Sequence, residues 1–190
     1  GGYFFDAFLG NARGSITWWE NKADAKTWVR HDVVTNSPFA YHAVLFDDFN
    51  GDDINDIVSV GENAGNPSDA SDDIVELHLF AGTADGSFDA PITIGLGGGS
   101  LLTAYDVNED GNLDVVSPQY FGPVSGQPFI PPFARNADSA SFVWFENMGD
   151  GNYVKHAIGT NQGPGFAIVP AANLLGDGVT RWIASNHTNQ

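Results

Sequence analysis

Short apolar stretches that partly alternate with polar residues run through the chain, and they are of two recurring kinds. The first is an aromatic hairpin. Ile16-Thr-Trp18-Trp19-Glu20-Asn21 turns into Trp28-Val-Arg30-His31-Asp-Val33, and Phe142-Val-Trp144-Phe145-Glu146-Asn147 turns through Gly149-Asp-Gly151-Asn into Tyr153-Val-Lys155-His156-Ala-Ile158. A weaker copy, Val75-Glu-Leu-His78-Leu-Phe80, turns at 82–86 into a strand expected over 88–94. A period of two puts successive side chains on opposite faces, which predicts paired antiparallel strands. The second kind is a pair of apolar strands around an acidic loop. Strands at 42–46 and 57–60 flank loop 48–56, strands at 101–105 and 115–117 flank loop 106–114, and strands at 166–170 and 182–184 flank loop 173–181.

The two kinds interleave at roughly 60 residues per unit, the spacing of a four-stranded propeller blade with generous loops. Each unit reads strand A, acidic loop, strand B, connecting loop, strand C, tight turn, strand D. The expected fold class is therefore all-β, with β-propeller blades of four antiparallel strands. Units fall at about 1–36, 37–95, 96–161 and 162–190, one partial propeller of about three blade-equivalents. Residues 3–8 read as the end of a strand B, and the last unit stops after another. Three blades are too few to close a ring, and open strand edges invite pairing. The expectation is a part of a larger, seven-bladed propeller, completed by remaining blades or by other chains.

The acidic loops carry the chemistry. Asp106, Asn108, Asp110 and Asp114 stand at positions 1, 3, 5 and 9 of a D-x-N-x-D-G-x-x-D loop, with Gly111 at position 6. Several side-chain oxygens converging on one point, plus a residue that tolerates a sharp turn, suit a hard divalent cation. An EF-hand loop is longer, ends in a bidentate Glu and lies between helices; no amphipathic helix flanks this one. Asp48, Asn50, Asp52 and Asp56 repeat the pattern, with Asp53 in the glycine position. In the third copy, Leu175 replaces the ligand at position 3 and Arg181 the aspartate at position 9, so this loop (Asn173 to Arg181) is expected to be metal-free, its arginine pairing with Asp177.

Composition narrows the partners. Twenty-four acidic residues against 7 basic ones give a net charge of −17, which excludes the basic footprint that nucleic acid or an anionic membrane needs. There is no cysteine, so stability comes from the core and from any bound metal rather than from disulfides. No membrane-inserting run is present. Zinc is disfavoured without cysteine or clustered histidine.

The D-x-N-x-D-G-x-x-D loop between apolar strands, with a W-x-E-N hairpin downstream, resembles the FG-GAP/VCBS repeat of integrin α-subunit propellers and many secreted microbial propellers. Loop 106–114 matches fully, loop 48–56 except at Asp53, and the FG-GAP peptide itself is not intact. The resemblance and the chemistry together imply two Ca²⁺ ions. One is held by Asp48, Asn50, Asp52, Asp56 and the Ile54 carbonyl, the other by Asp106, Asn108, Asp110, Asp114 and the Asn112 carbonyl. The hairpin pattern is also similar to propellers of carbohydrate-active proteins such as aldos-2-ulose dehydratases and some polysaccharide lyases.

Two function classes follow. One is a calcium-stabilised extracellular, cell-surface or periplasmic module for ligand binding or adhesion, with a carbohydrate or protein ligand. The other is the propeller of a lyase or dehydratase. Candidate ligand contacts lie on the face opposite the acidic loops: Tyr41 and His42 at the start of a strand A, His187 after a strand B, and Tyr120, Phe121 and Arg135 in the long segment 119–136. A His–Tyr pair there would supply an acid and a base. His31 and His156 occupy equivalent hairpin positions and read as structural, while His78 has no evident partner.

Overall fold

The computed structural model describes residues 13–63, 74–99, 101–119, 140–149, 151–160 and 165–186. Among them are twelve strands and no helix: β1 (Gly14–Asn21), β2 (Trp28–Ser37), β3 (Ala40–Asp47), β4 (Asp56–Asn63), β5 (Ile74–Phe80), β6 (Ile92–Leu96), β7 (Thr103–Tyr105), β8 (Asp114–Pro118), β9 (Ala140–Asn147), β10 (Tyr153–Thr160), β11 (Gly165–Ala171) and β12 (Arg181–Asn186). They form two four-stranded sheets, β3-β4-β5-β6 and β7-β8-β9-β10, and two pairs, β1-β2 and β11-β12. Every pairing is antiparallel between sequence neighbours. The all-β expectation and the A-B-C-D strand order are met.

One expected strand is displaced. The segment 88–94 was to pair with 75–80, but β6 covers Ile92–Leu96 and Phe88 makes only an isolated bridge to Gly82. The turn 82–88 closes on itself, with Gly86 N–H donating to the Thr83 carbonyl and Asp89 N–H to the Ala81 carbonyl. Pro91, which has no N–H to give a ladder, then delays entry into the sheet.

The second and third strands of each four-stranded sheet form the core. β4 is buried from Asp56 through Glu62 and β8 along its whole length. Strands covered on both faces read as apolar runs, and Ile57-Val58 and Val115-Val116 are such runs. One cluster joins the two large sheets through Val58, Leu77, Leu79, Val115, Val143 and Phe145. A second sets Ile16 of β1 against Ile57 and Phe80. A third sets Val116 and Phe142 against Ile168 of β11. The four layers therefore stack in sequence order. Gly95 marks a close approach of the two large sheets: a Cβ there would collide with the Phe145 ring of the next sheet.

Candidate metal centre

Each acidic loop joins the first and second strands of a sheet: 48–56 joins β3 to β4, 106–114 joins β7 to β8, and 173–181 joins β11 to β12. All three have one backbone scaffold. The residue at position 1 receives the N–H of position 6: Asp53 to Asp48 at 2.8 Å, Gly111 to Asp106 at 2.9 Å, and Gly178 to Asn173 at 2.8 Å. The aspartate at position 5 receives the N–H of position 7: Ile54 to Asp52 at 2.8 Å, Asn112 to Asp110 at 2.8 Å, and Val179 to Asp177 at 3.1 Å.

Positions 4 and 6 have positive φ in every loop: Gly51 (78°) and Asp53 (66°), Glu109 (62°) and Gly111 (94°), Gly176 (75°) and Gly178 (79°). The sequence pattern places a glycine only at position 6. The backbone asks for left-handed geometry twice, and Asp is among the residues that tolerate it. The departure at Asp53 therefore leaves the loop shape intact.

Position 9 is the anchor. The carboxylates of Asp56 and Asp114 are fully buried. Asp56 accepts the N–H of Phe49 at 3.0 Å and of Gly82 at 2.8 Å, while Asp114 accepts that of Val107 at 2.9 Å and of Asn147 at 2.8 Å. Each thus pins the start of its loop to the turn that follows the third strand. Burial pushes both carboxyls up, more than these donors pull them down; Asp52 and Asp48 add to the rise at Asp56, and Asp110 and Asp106 at Asp114. At Asp48 burial also pushes upward, but the N–H groups of Asp53, Gly51, Asp52 and Asn50 together outweigh it and hold the carboxyl below its usual range. The Asn112 N–H and the Asn108 amide do the same for Asp110.

The loop side chains are of the oxygen-donor class that a hard cation takes, while among the described residues no three His, Cys, Asp or Glu side chains are drawn together closely enough to hold one. Asn50 inserts its amide nitrogen between two carboxylates, 3.1 Å from Asp52 and 3.5 Å from Asp56. Asn108 lies 3.0 Å from Asp110 and 2.9 Å from Glu146. The amide oxygens accept the N–H of position 5, from Asp52 at 2.9 Å and from Asp110 at 3.2 Å, and a turn about Cβ–Cγ would exchange that bond for an oxygen facing the carboxylates. Each loop then offers oxygen donors, several of them charged, which suits calcium. Glu146 lies outside the set expected from sequence; only the pairing of β9 with β8 brings it to the loop. It also binds His156 Nε2 at 2.7 Å, and that ring stacks on Trp144. Glu20, His31 and Trp18 repeat this arrangement on β1 and β2, at 3.1 Å and with a 3.9 Å stack. In the third loop Arg181 clasps Asp177 through both nitrogens, at 2.8 and 2.6 Å, as expected.

The expected convergence of Tyr41 with His42 does not occur. The β3–β4 ladder shifts register between Tyr41 and Val44, and the two side chains reach different partners. His42 Nε2 meets Glu62 at 2.8 Å in a nearly buried pair. The Tyr41 hydroxyl lies 3.2 Å from His78 Nδ1 and 3.3 Å from Ser37, and His78 Nε2 contacts Glu76 at 2.9 Å. His78, without an evident partner in the sequence, thus sits at the centre of a chain of polar groups. Tyr120, Phe121, Arg135 and His187 lie outside the described residues.

Tyr153 sits behind both anchors. Its hydroxyl is sealed from solvent with no hydrogen-bond partner among the described residues. Burial first, then the charges of Asp56 and Asp114, raise its pKa well above the tyrosine range.

Compared with known proteins, the chain matches no family model and no curated sequence.

Proposed function

We propose that the chain is a calcium-stabilised β-propeller module for binding or adhesion outside the cell, with two Ca²⁺ ions serving structure rather than chemistry. The observation that carries this reading is the repeated anchor. Asp56 and Asp114 are buried carboxylates at the same loop position, surrounded by further carboxylates that raise their cost of ionisation. A divalent cation reverses that cost: it neutralises the loop and ties the first strand of each sheet to the second. Asp48, Asn50, Asp52 and Asp56 hold one ion, and Asp106, Asn108, Asp110 and Asp114 the other, with the Ile54 and Asn112 carbonyls adding a ligand each.

The blade reading draws on the same repetition. Two sheets have the A-B-C-D order, and the flanking pairs are a C-D half and an A-B half. The likeness of the loops to FG-GAP/VCBS repeats supports it too. The ligand is a carbohydrate or a protein. In a melting experiment, calcium should raise the midpoint of protein freed of metal with EDTA; an unchanged midpoint at millimolar calcium would refute the reading.

One observation favours an enzyme instead. Ser37, Tyr41, His78 and Glu76 form a continuous polar chain, the kind of group that moves protons in a lyase or dehydratase. His78 is buried and the polar chain lies apart from the open groove between β1 and the first four-stranded sheet, so the module reading is preferred. Turnover of a sugar substrate, abolished by Tyr41→Phe, would reverse that preference.

A further inference from the structure

We propose that Asn50 is a site of covalent self-modification. The Gly51 nitrogen closes on the Asn50 side chain, ammonia leaves, and water opens the resulting succinimide to an aspartyl or isoaspartyl residue. The chemistry draws on the first acidic loop alone and is independent of the calcium and propeller readings.

Asn50-Gly51 is the single Asn-Gly step in the sequence. Attack by a backbone nitrogen on the side chain before it is hindered by the Cβ of the residue that supplies the nitrogen, and glycine has none. The space beside Gly51 is also open: a Cβ built there meets nothing within 4 Å. The ring can form without a clash, and water can reach it.

The loop brings three groups to the reacting atoms. Gly51 N–H donates to Asp48 Oδ1 at 2.7 Å, so a carboxylate stands where the proton of the attacking nitrogen must go. Asn50 Oδ1 accepts the Asp52 N–H at 2.9 Å. A side chain bonded to the N–H two residues on is folded back over the peptide between them, here that of Gly51, which holds the two reactants together. The same N–H stabilises the negative charge that develops on Oδ1 as the nitrogen adds. Asn50 Nδ2, the leaving nitrogen, faces Asp52 Oδ2 at 3.1 Å and Asp56 Oδ1 at 3.5 Å, carboxylates that favour the proton it must gain.

The step balances without an oxidant or reductant. Asp48 takes the proton from Gly51 N, and that nitrogen forms a bond to Asn50 Cγ. The Cγ–Nδ2 bond then breaks, and Nδ2 leaves as ammonia with the proton that Asp48 had taken. One water adds to either carbonyl of the ring. Opening at Cγ leaves an aspartyl residue. Opening at the Asn50 backbone carbonyl leaves an isoaspartyl residue, through whose side chain the backbone now runs. The net change is one –NH₂ exchanged for –OH.

The second loop supplies an internal comparison. Asn108 stands at the same position, with the Asp110 N–H on its Oδ1 at 3.2 Å and its Nδ2 3.0 Å from Asp110. The residue after it is Glu109, whose Cβ shields the peptide nitrogen. The third loop has Leu175 at this position. Modification is therefore confined to the first loop. It adds a further carboxylate beside Asp48, Asp52 and Asp56, or lengthens the loop backbone by one methylene, and leaves the second loop as synthesised.

The test is peptide mass mapping of the EDTA-treated chain during incubation at neutral pH, with isoaspartyl residues labelled by an isoaspartyl methyltransferase. Asn50 should exchange its amide for a hydroxyl and gain the label while Asn108 stays intact, and conversion should be faster in the folded chain than in urea. Asp48→Asn should slow the folded chain by about tenfold or more and leave the rate in urea unchanged. Circular dichroism establishes that the variant is folded; should it not be, the parent chain in buffer against urea decides alone. Asn50 left intact, conversion slower in the folded chain than in urea, equal conversion at Asn108, or a folded Asp48→Asn that converts as fast as the parent would each overturn the proposal.

Discussion

Asp114 and Asn147, 33 positions apart, are joined by a 2.8 Å hydrogen bond from the Asn147 backbone N–H to the Asp114 carboxylate. The Asn147 side chain reaches on to the Phe49 carbonyl of the first four-stranded sheet at 2.7 Å and to the Leu113 carbonyl at 3.2 Å. One buried carboxylate therefore organises a loop, a turn and, through Asn147, the contact between two sheets. Asp114→Ala leaves the N–H groups of Asn147 and Val107 without their acceptor. Each buried donor left unsatisfied costs about 1–3 kcal/mol, so the variant, with two, should lose about 2–6 kcal/mol. Urea unfolding checks this as a lower midpoint at unchanged slope.

Tyr153→Phe should act in the opposite direction. The lost hydroxyl makes no hydrogen bond among the described residues and is buried beside two carboxylates. Removing a desolvated, unpaired hydroxyl while keeping the ring is expected to stabilise by about 1 kcal/mol. The same urea titration detects it as a higher midpoint.

The turn 82–88 offers a test by pH. Asp85 accepts from the Thr83 hydroxyl at 2.6 Å and from the Ser87 hydroxyl and N–H at 2.7 and 3.1 Å. These bonds favour the carboxylate and lower its pKa to about 2. The folded value lies below the unfolded one of about 3.9. The contribution is therefore present above that value and lost as pH falls through about 2. NMR titration should find Asp85 near 2 and return it towards the usual range in Thr83→Val; an ordinary value in the parent chain would contradict the bonding.

Close packing between the sheets depends on a missing side chain. Gly95→Ala places a methyl group against the Phe145 ring, which is fully buried and cannot retreat. Overpacking of this kind costs about 1–3 kcal/mol. The expected readout is a lower thermal midpoint, with the secondary structure seen by circular dichroism unchanged.

Much of this was legible in the sequence, because local pattern and chemistry agreed. The aromatic hairpins and the three acidic loops fix eleven of the strands by period and by flanking turns, and the Arg181–Asp177 pair follows from a substitution inside a repeat. What was not legible depends on tertiary contact. The start of β6 is set by a turn that closes on itself before Pro91. Glu146 and Asn147 reach the second loop only through strand pairing, and the partners of His78 lie 37 and 2 positions away on the same sheet. The separation of Tyr41 from His42 belongs with these, because the β3–β4 ladder is irregular between Tyr41 and Val44 and only the pairing sets which partners the two side chains reach.

Calorimetric titration of calcium into the EDTA-treated chain measures the central claim directly. The account predicts two sites per chain with dissociation constants of about 10⁻⁴–10⁻³ M or tighter, one lost in Asp52→Ala, the other in Asp110→Ala, and neither in Asp177→Ala. Absence of binding at millimolar calcium, or a stoichiometry unchanged by Asp52→Ala and Asp110→Ala, would contradict it.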